Sequence, residues 1–366
     1  MVPRKYFVPV YIGGVFVFMN LFPFGIKINK TKRETFVKKE INNMKKILSI
    51  VLAVVMVAAM CVCFSACGEK SYTVGICQLV PHDALDAATQ GFKDELVAQL
   101  GEENVTFLEQ NAQNDSTACT TIVNDFVTKN VDLIMANATP ALQAAANGTE
   151  TIPVLGTSVT EYGTALSIDN FDGLVGTNVS GTSDLAPLDK QAEMILELFP
   201  DAKKVGLLYC SAEANSAYQV KVVKEYLAGK GVECADFPFA DSNDVASVAK
   251  AAAAASDVIY VPTDNTAASC TEAINGAVLP TKTPIIAGEE GICKGCGVAT
   301  LSISYYDLGV ATGKMAAQIL KGEKKVEEME IAYAENFTKK YNKANCDELG
   351  IDTAKLEAAG YVAIAE

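Results

Sequence analysis

From Tyr72 onward the chain alternates short β-branched runs with segments of helical periodicity, and this alternation restricts the fold more than any other feature. Strands are expected at Tyr72–Leu79, Val105–Glu109, Val131–Ala136 and Ile152–Gly156, with helices at Asp83–Leu100, Ser116–Lys129 and Thr139–Asn147 between them. Strand–helix–strand order of this kind builds a parallel sheet covered by helices on both faces. The rhythm then restarts. Helices at Asp184–Leu198, 215–229, Asp244–Ala255 and Thr266–Ala277 alternate with strands at Lys204–Tyr209, Val232–Phe237, Val258–Val261 and Pro284–Ala287. A late helix, Tyr305–Leu320, stops at Gly322 and is placed to return to the first lobe. One hydrophobic core rarely serves about 300 residues, so two α/β lobes are expected.

Ahead of this region, Met44–Cys67 has the layout of an export signal: Lys45 and Lys46, an apolar run, then Ser65 and Ala66. A cysteine at the cleavage point makes it a lipoprotein signal, with Cys67 lipidated and the rest of the chain extracytoplasmic, anchored to the cell membrane. The competing reading is a retained transmembrane helix, since Ile47–Ala66 is about long enough to span a bilayer. No basic stop follows Cys67, which favours lipidation. Residues 44–66 are therefore expected to be a signal peptide. Residues 1–43 hold the apolar stretch Phe7–Phe24 and the basic segment Lys27–Lys39. They are expected to be an over-long start ahead of Met44, or disordered; a first membrane helix is the alternative.

The charge balance supports an extracellular solute-handling protein over a nucleic-acid partner. The chain carries 30 basic and 44 acidic side chains, and ten of the basic ones precede residue 67. The remainder is strongly acidic and repels nucleic acid and anionic headgroups. Trp is absent. The eleven cysteines show no compact disulfide spacing. Most sit in apolar contexts where free Cys behaves as a small hydrophobe. Cys293-Lys-Gly-Cys296 reads as a redox pair, half a zinc site, or a turn with two incidental thiols and a local disulfide; no second pair completes a metal site.

In open α/β sheets ligands bind beyond the carboxyl ends of the strands. Here those segments, among them 78–83, 111–115, 137–140, 157–160, 210–216, 262–265 and 288–290, are rich in Asn, Asp, Ser, Thr and Glu. Thr139-Pro140 and Asn215-Ser216 stand at helix starts, where hydroxyls and backbone N–H groups either hold a carboxylate or simply cap the helix. Asp264 caps a helix or pairs with an ammonium group. Tyr305 and Tyr306 stack on a ligand side chain or pack internally. Such a cleft suits a zwitterion such as an amino acid. No GxGxxG, GxxxxGK[ST], HExxH or GxSxG motif is present, and His82 is the single histidine.

Several segments, in order, resemble substrate-binding lipoproteins of ABC transporters, specifically the group taking up tryptophan, tyrosine or phenylalanine. They are Gln78–Asp86, Gln90–Phe92, Asn111–Asp115, Ala138–Pro140, Val159-Thr160, Asn178–Asp184, Glu213–Ser216, Pro262–Asn265 and Tyr305–Gly309. The resemblance implies a type I periplasmic-binding-protein fold: α/β, two Rossmann-like lobes joined by a three-segment hinge. Lobe 1 is expected at 71–182 plus 302–327, and lobe 2 at 183–301 plus 328–366. By position it implies His82, Thr139, Thr160, Ser183, Asp184, Asn215, Ser216, Asp264 and Asn265 as cleft-lining residues. No cofactor, metal or catalytic residue is implied. The implied partners are an amino acid, ABC permease subunits, and the membrane through the lipid on Cys67, with the protein monomeric. Two other functions are weighed: an exported hydrolase-like enzyme using His82 and an acidic neighbour, and a sensor domain presenting ligand to a membrane receptor.

Overall fold

The computed structural model describes residues 70–365, together with 7–12, 15–20, 38–39, 41–49 and 51. Two compact units divide the chain at Glu69/Lys70. In the N-terminal unit Phe7–Ile12 (β1) pairs antiparallel with Val15–Asn20 (β2), so these residues form strands rather than a membrane helix. A helix covers 41–49. Cys67 lies outside the described residues. Among the described residues no helix is long and apolar enough to cross a membrane.

The second unit holds two sheets. The first is built from Tyr72–Gln78 (β3), Val105–Asn111 (β4), Leu133–Asn137 (β5), Val154–Val159 (β6) and Val179–Ser183 (β7). Its helices are Asp83–Leu100 (α1), Ser116–Thr128 (α2), Thr139–Gly148 (α3) and Tyr162–Leu166 (α4). The second unit continues with Leu188–Leu198 (α5), Lys204–Cys210 (β8), Ala214–Gly229 (α6), Glu233–Phe239 (β9), Val245–Ala255 (α7) and Val258–Val261 (β10). Asn265–Ser269 (α8), Thr271–Val278 (α9), Ile285–Ala287 (β11), Glu290–Cys296 (α10) and Ala299–Ser302 (β12) follow. Then come Tyr305–Leu320 (α11), Ala332–Tyr333 (β13), Thr338–Tyr341 (β14), Lys343–Leu349 (α12), Thr353–Ala358 (α13) and Val362–Ala363 (β15).

Strand order is β13-β7-β6-β5-β3-β4 in one sheet and β15-β14-β12-β11-β10-β8-β9 in the other. Apart from β14 against β12, every pairing in the two sheets is parallel. That follows from the strand–helix alternation, because a helix between strands returns the chain to the same end of the sheet. The chain passes between sheets three times, at 184–187, 303–304 and 334–337. The expected return to the second lobe at residue 328 is corrected by β13, which adds to β7 at Ala332↔Thr182. Val326, Met329 and Ile331 are buried within the first lobe, so their apolar surface keeps this stretch there until after Tyr333.

Helix α11 leaves the second sheet and packs along α1. The two backbones nearly touch: a Cβ on Gly91 would lie 2.1 Å from the Tyr306 carbonyl oxygen, and one on Gly309 2.0 Å from that of Ala88. Only glycine fits either position. The helix expected at Thr266–Ala277 is broken at Cys270 into α8 and α9. Cys293 and Cys296 sit on α10 rather than in a turn, and both are buried free thiols. Their apolar surroundings push both thiols well above the ordinary range.

Candidate binding site

The carboxyl ends of β3, β6 and β7 face those of β8, β10 and β11, and a small cavity is enclosed between them. His82, Thr160 and Asp184 contribute from the first side and from the crossing; Asn215, Asp264 and Asn265 contribute from the second. The enclosed space is about 10 Å³, room for one water-sized sphere. The lobes are thus drawn together. Among the described residues, His82 Nε2 lies 3.4 Å from Asn265 Oδ1 across the cleft, Asn114 Nδ2 donates to Thr266 Oγ1 at 3.0 Å, and at the rim Lys294 Nζ lies 4.0 Å from Asp83 Oδ2. Asn114 has φ 65°, a left-handed backbone that asparagine tolerates better than most residues.

Three buried carboxylates line this space, Asp184, Asp264 and Glu289, and a fourth, Glu213, lies behind Asn215 and Asn265. The chain has no arginine after Arg33, and no lysine lines the cavity. Three of the four acids are held by helix starts of their own lobe. Asp264 accepts from Ala267 N at 2.8 Å and Cys210 N at 2.6 Å. Glu289 accepts from Gly291 N at 2.6 Å and from Ile292 N, capping α10. Glu213 accepts from the backbone N–H groups of Asn265 and Thr266 at 3.0 and 2.8 Å. Positive helix ends and oriented N–H donors offset the burial of negative charge. Burial and the nearby Glu213 nevertheless push Asp264 up to about 8, and burial pushes Glu289 up to about 7.

Asp184 differs. Its Oδ2 accepts from Tyr305 Oη at 2.9 Å, but Oδ1 is buried with no hydrogen-bond partner. Burial raises its carboxyl above the usual range, against the hydroxyls of Thr160 and Tyr305. Two further buried polar atoms without protein partners, Asn215 Oδ1 and Ser158 Oγ, belong to residues lining the same cavity. An unpartnered buried polar atom costs roughly 1–3 kcal/mol. Three around one cavity mark where a polar ligand group is wanted. Asn215 Nδ2 is turned away, donating to Glu213 Oε2 at 3.1 Å and to the Thr263 carbonyl at 3.1 Å. Ser158 has φ 54° at the irregularity between β6 and β7, which lifts it out of the strand's regular alternation.

Of the nine residues expected in the cleft, the structure places His82, Thr160, Asp184, Asn215, Asp264 and Asn265 around this cavity. Thr139, Ser183 and Ser216 are buried but outside the lining. Ser183 Oγ donates to the Thr160 carbonyl at 2.7 Å and accepts from Leu185 N at 3.1 Å, bracing the crossing that carries Asp184. Lining residues beyond the nine include Ser158, Glu289 and Tyr305. Glu289 lies in the rim segment 288–290 and Tyr305 in a motif already singled out. The Ser158 position depends on a strand irregularity with no mark in the sequence.

Residues 73–358 match the model of the family described as ABC transporter substrate binding protein. The chain is 35% identical over 300 residues to a tyrosine-binding protein of Clostridioides difficile, covering 76% of this chain and 85% of that one. Among solved structures it is similar to the ABC domain in complex with L-Trp from Streptococcus pneumonia, with TM-score 0.76 and 32% identity over 81% of this chain and 100% of that one. A substrate-binding protein with adhesive properties from Clostridium difficile, in its ligand-free, open form, gives TM-score 0.62 and 36% identity over 80% and 100%. At similar identity the backbone therefore agrees better with the L-Trp complex than with the open form, in line with the contacts that close the cleft.

Proposed function

The chain belongs to the ABC transporter substrate-binding protein family, and from that premise we propose that it is a lipid-anchored, monomeric receptor for an aromatic amino acid. The ligand sits between the lobes, with its ammonium group on Asp184. The observation that carries this reading is the trio of unpartnered atoms, Asp184 Oδ1, Asn215 Oδ1 and Ser158 Oγ, around one cavity. A primary ammonium has three N–H donors and no acceptor. One carboxylate and two neutral oxygens complement it, and its charge compensates the one buried acid not held by a helix start. Asp264 also lines the cavity, but each of its oxygens already accepts a backbone N–H, so its charge is partly offset where that of Asp184 Oδ1 is not.

The aromatic class is supported by the relatives that bind tyrosine and L-Trp. An amino acid is larger than 10 Å³, so binding needs the lobes or Tyr305 to move apart. A neighbouring groove of about 400 Å³ shares Glu289 and Tyr305 with the cavity. Displacing Tyr305 joins the two spaces and gives the ligand side chain room. Closure around the ligand then presents a defined surface to the permease. Recognition needs no bond-making, and the protein is not an enzyme. The lipid on Cys67 keeps this delivery step at the membrane.

The test is calorimetric titration of the purified chain with L-tyrosine, L-tryptophan, L-phenylalanine and their amides and deaminated analogues. Binding of the amino acids and loss of binding on removing the amine are expected. Equal affinity for the deaminated analogues would overturn the ammonium assignment.

A further inference from the structure

Glu213, between β8 and α6, is the most heavily hydrogen-bonded side chain near the cleft. Its Oε2 accepts from Asn215 Nδ2 at 3.1 Å, Asn265 N at 3.0 Å and Asn265 Nδ2 at 2.7 Å; Oε1 accepts from Thr266 N and Thr266 Oγ1, both at 2.8 Å. Two of those donors belong to the side chains that reach across the cleft. The Asn265 amide gives its N–H to Glu213, so its oxygen faces His82 at 3.4 Å. The Thr266 hydroxyl gives its single proton to Glu213, so only its lone pairs remain to receive Asn114 Nδ2 at 3.0 Å. A carboxylate accepts and never donates, so it fixes both side chains in one orientation.

We propose that Glu213 is a positioning residue that sets the polarity of the latch between the lobes. Without touching the first lobe, it makes Asn265 and Thr266 present acceptors, to which His82 and Asn114 must donate. His82 is then held with its proton on Nε2. Burial also keeps this imidazole in its neutral form by lowering its affinity for a second proton. Asp86, Asp83 and Glu213 act the other way on it, as does the bond to Asn265. A glutamine at 213 offers an N–H where Asn265 or Thr266 now donates, so at least one latch contact reverses or breaks.

The latch deepens the receptor reading, because a latch that fails shortens the life of the closed, loaded form. Its geometry is testable without any ligand. His82 is the single histidine in the chain, so nitrogen NMR of the histidine-labelled full chain reports one imidazole. The expected result is the Nε2–H tautomer in the unaltered protein and a mixture of tautomers in Glu213→Gln and in Asn265→Ala. An unchanged ring spectrum in Glu213→Gln overturns the proposal. Should that variant fail to fold, an unchanged spectrum in Asn265→Ala does so equally.

With L-tyrosine as the probe, Glu213→Gln is expected to speed dissociation about tenfold, a loss on the scale of one hydrogen bond. Asn114→Ala should then add little in the Glu213→Gln background, because both remove the same latch. Fully additive effects would overturn the coupling. Absence of L-tyrosine binding by the unaltered protein would count against the ligand reading, and the ring tautomer would still decide the latch.

Discussion

Tyr305 donates its phenolic proton to Asp184 Oδ2 at 2.9 Å, tying the start of α11 to the first crossing between the lobes. The bond occupies one carboxylate oxygen and leaves the other bare. Asp184 is therefore both a structural tie and an open acceptor. Asp184→Asn keeps the shape and removes the charge. It is expected to weaken amino-acid binding about 10- to 100-fold, the scale of about 1.5–3 kcal/mol for a hydrogen bond to a charged group. Calorimetric titration measures this. Wild-type affinity in Asp184→Asn would sink the assignment.

Asp264→Asn should separate from it by phenotype. Its oxygens serve Ala267 N and Cys210 N, so the loss falls on the α8 start, at about 1 kcal/mol for a weakened cap. Thermal denaturation should show a lower Tm with affinity reduced less than in Asp184→Asn. The reverse order would return the ammonium site to Asp264.

Gly309→Ala tests the contact of α11 with α1. The added methyl would meet a backbone carbonyl at 2.0 Å, which no side-chain rotation relieves. Overpacking of this kind costs about 1–3 kcal/mol. Urea denaturation should show a lower midpoint; a midpoint unchanged from the parent protein would mean that the helices separate freely.

Stability should fall with rising pH. Glu289 and Asp264 are pushed up to about 7 and about 8, whereas in the unfolded chain such carboxyls titrate near ~4. Between those limits the folded protein holds protons that the unfolded chain has released. This contribution is complete below about pH 4 and is lost as pH rises through about 7 and 8. Tm should decline across that window, and Glu289→Gln should flatten the decline. A slope that Glu289→Gln leaves unaltered would contradict the raised carboxyl.

Cys67→Ala should release the protein from the membrane fraction if the cysteine carries the anchor. Fractionation of cells producing both forms measures this. Membrane retention of Cys67→Ala would assign anchoring to the apolar run itself.

Much of the architecture is legible in the residues. Helices Asp83–Leu100 and Tyr305–Leu320 and strand Val258–Val261 have the expected bounds, because long periodic or β-branched runs carry their own signal. Strand Val179–Ser183 does not. Its sequence VSGTS has one large apolar side chain, and it is buried because β6 and β13 flank it. The site divides along similar lines. Polar strand ends mark Asp184 and Asn215 as rim residues. Which of four acids stays open depends on which N–H groups lie within reach, and that is decided by neighbours far apart in the chain. Glu213 is 52 residues from Asn265, and only the adjacency of β8 and β10 brings them together.

The close approach of Gly91 to Tyr306 and of Gly309 to Ala88 has a mechanical consequence. Backbone lies against backbone at these points, so a shift of α11 along α1 there meets peptide groups rather than side chains that can rotate away. Compliance is left to the three short connecting segments, 184–187, 303–304 and 334–337. Asp184 is the first residue of one and Tyr305 directly follows another. The bond between them therefore spans two pivots, and under the proposed assignment a ligand held by Asp184 would pull on the axle of the hinge with almost no lever arm.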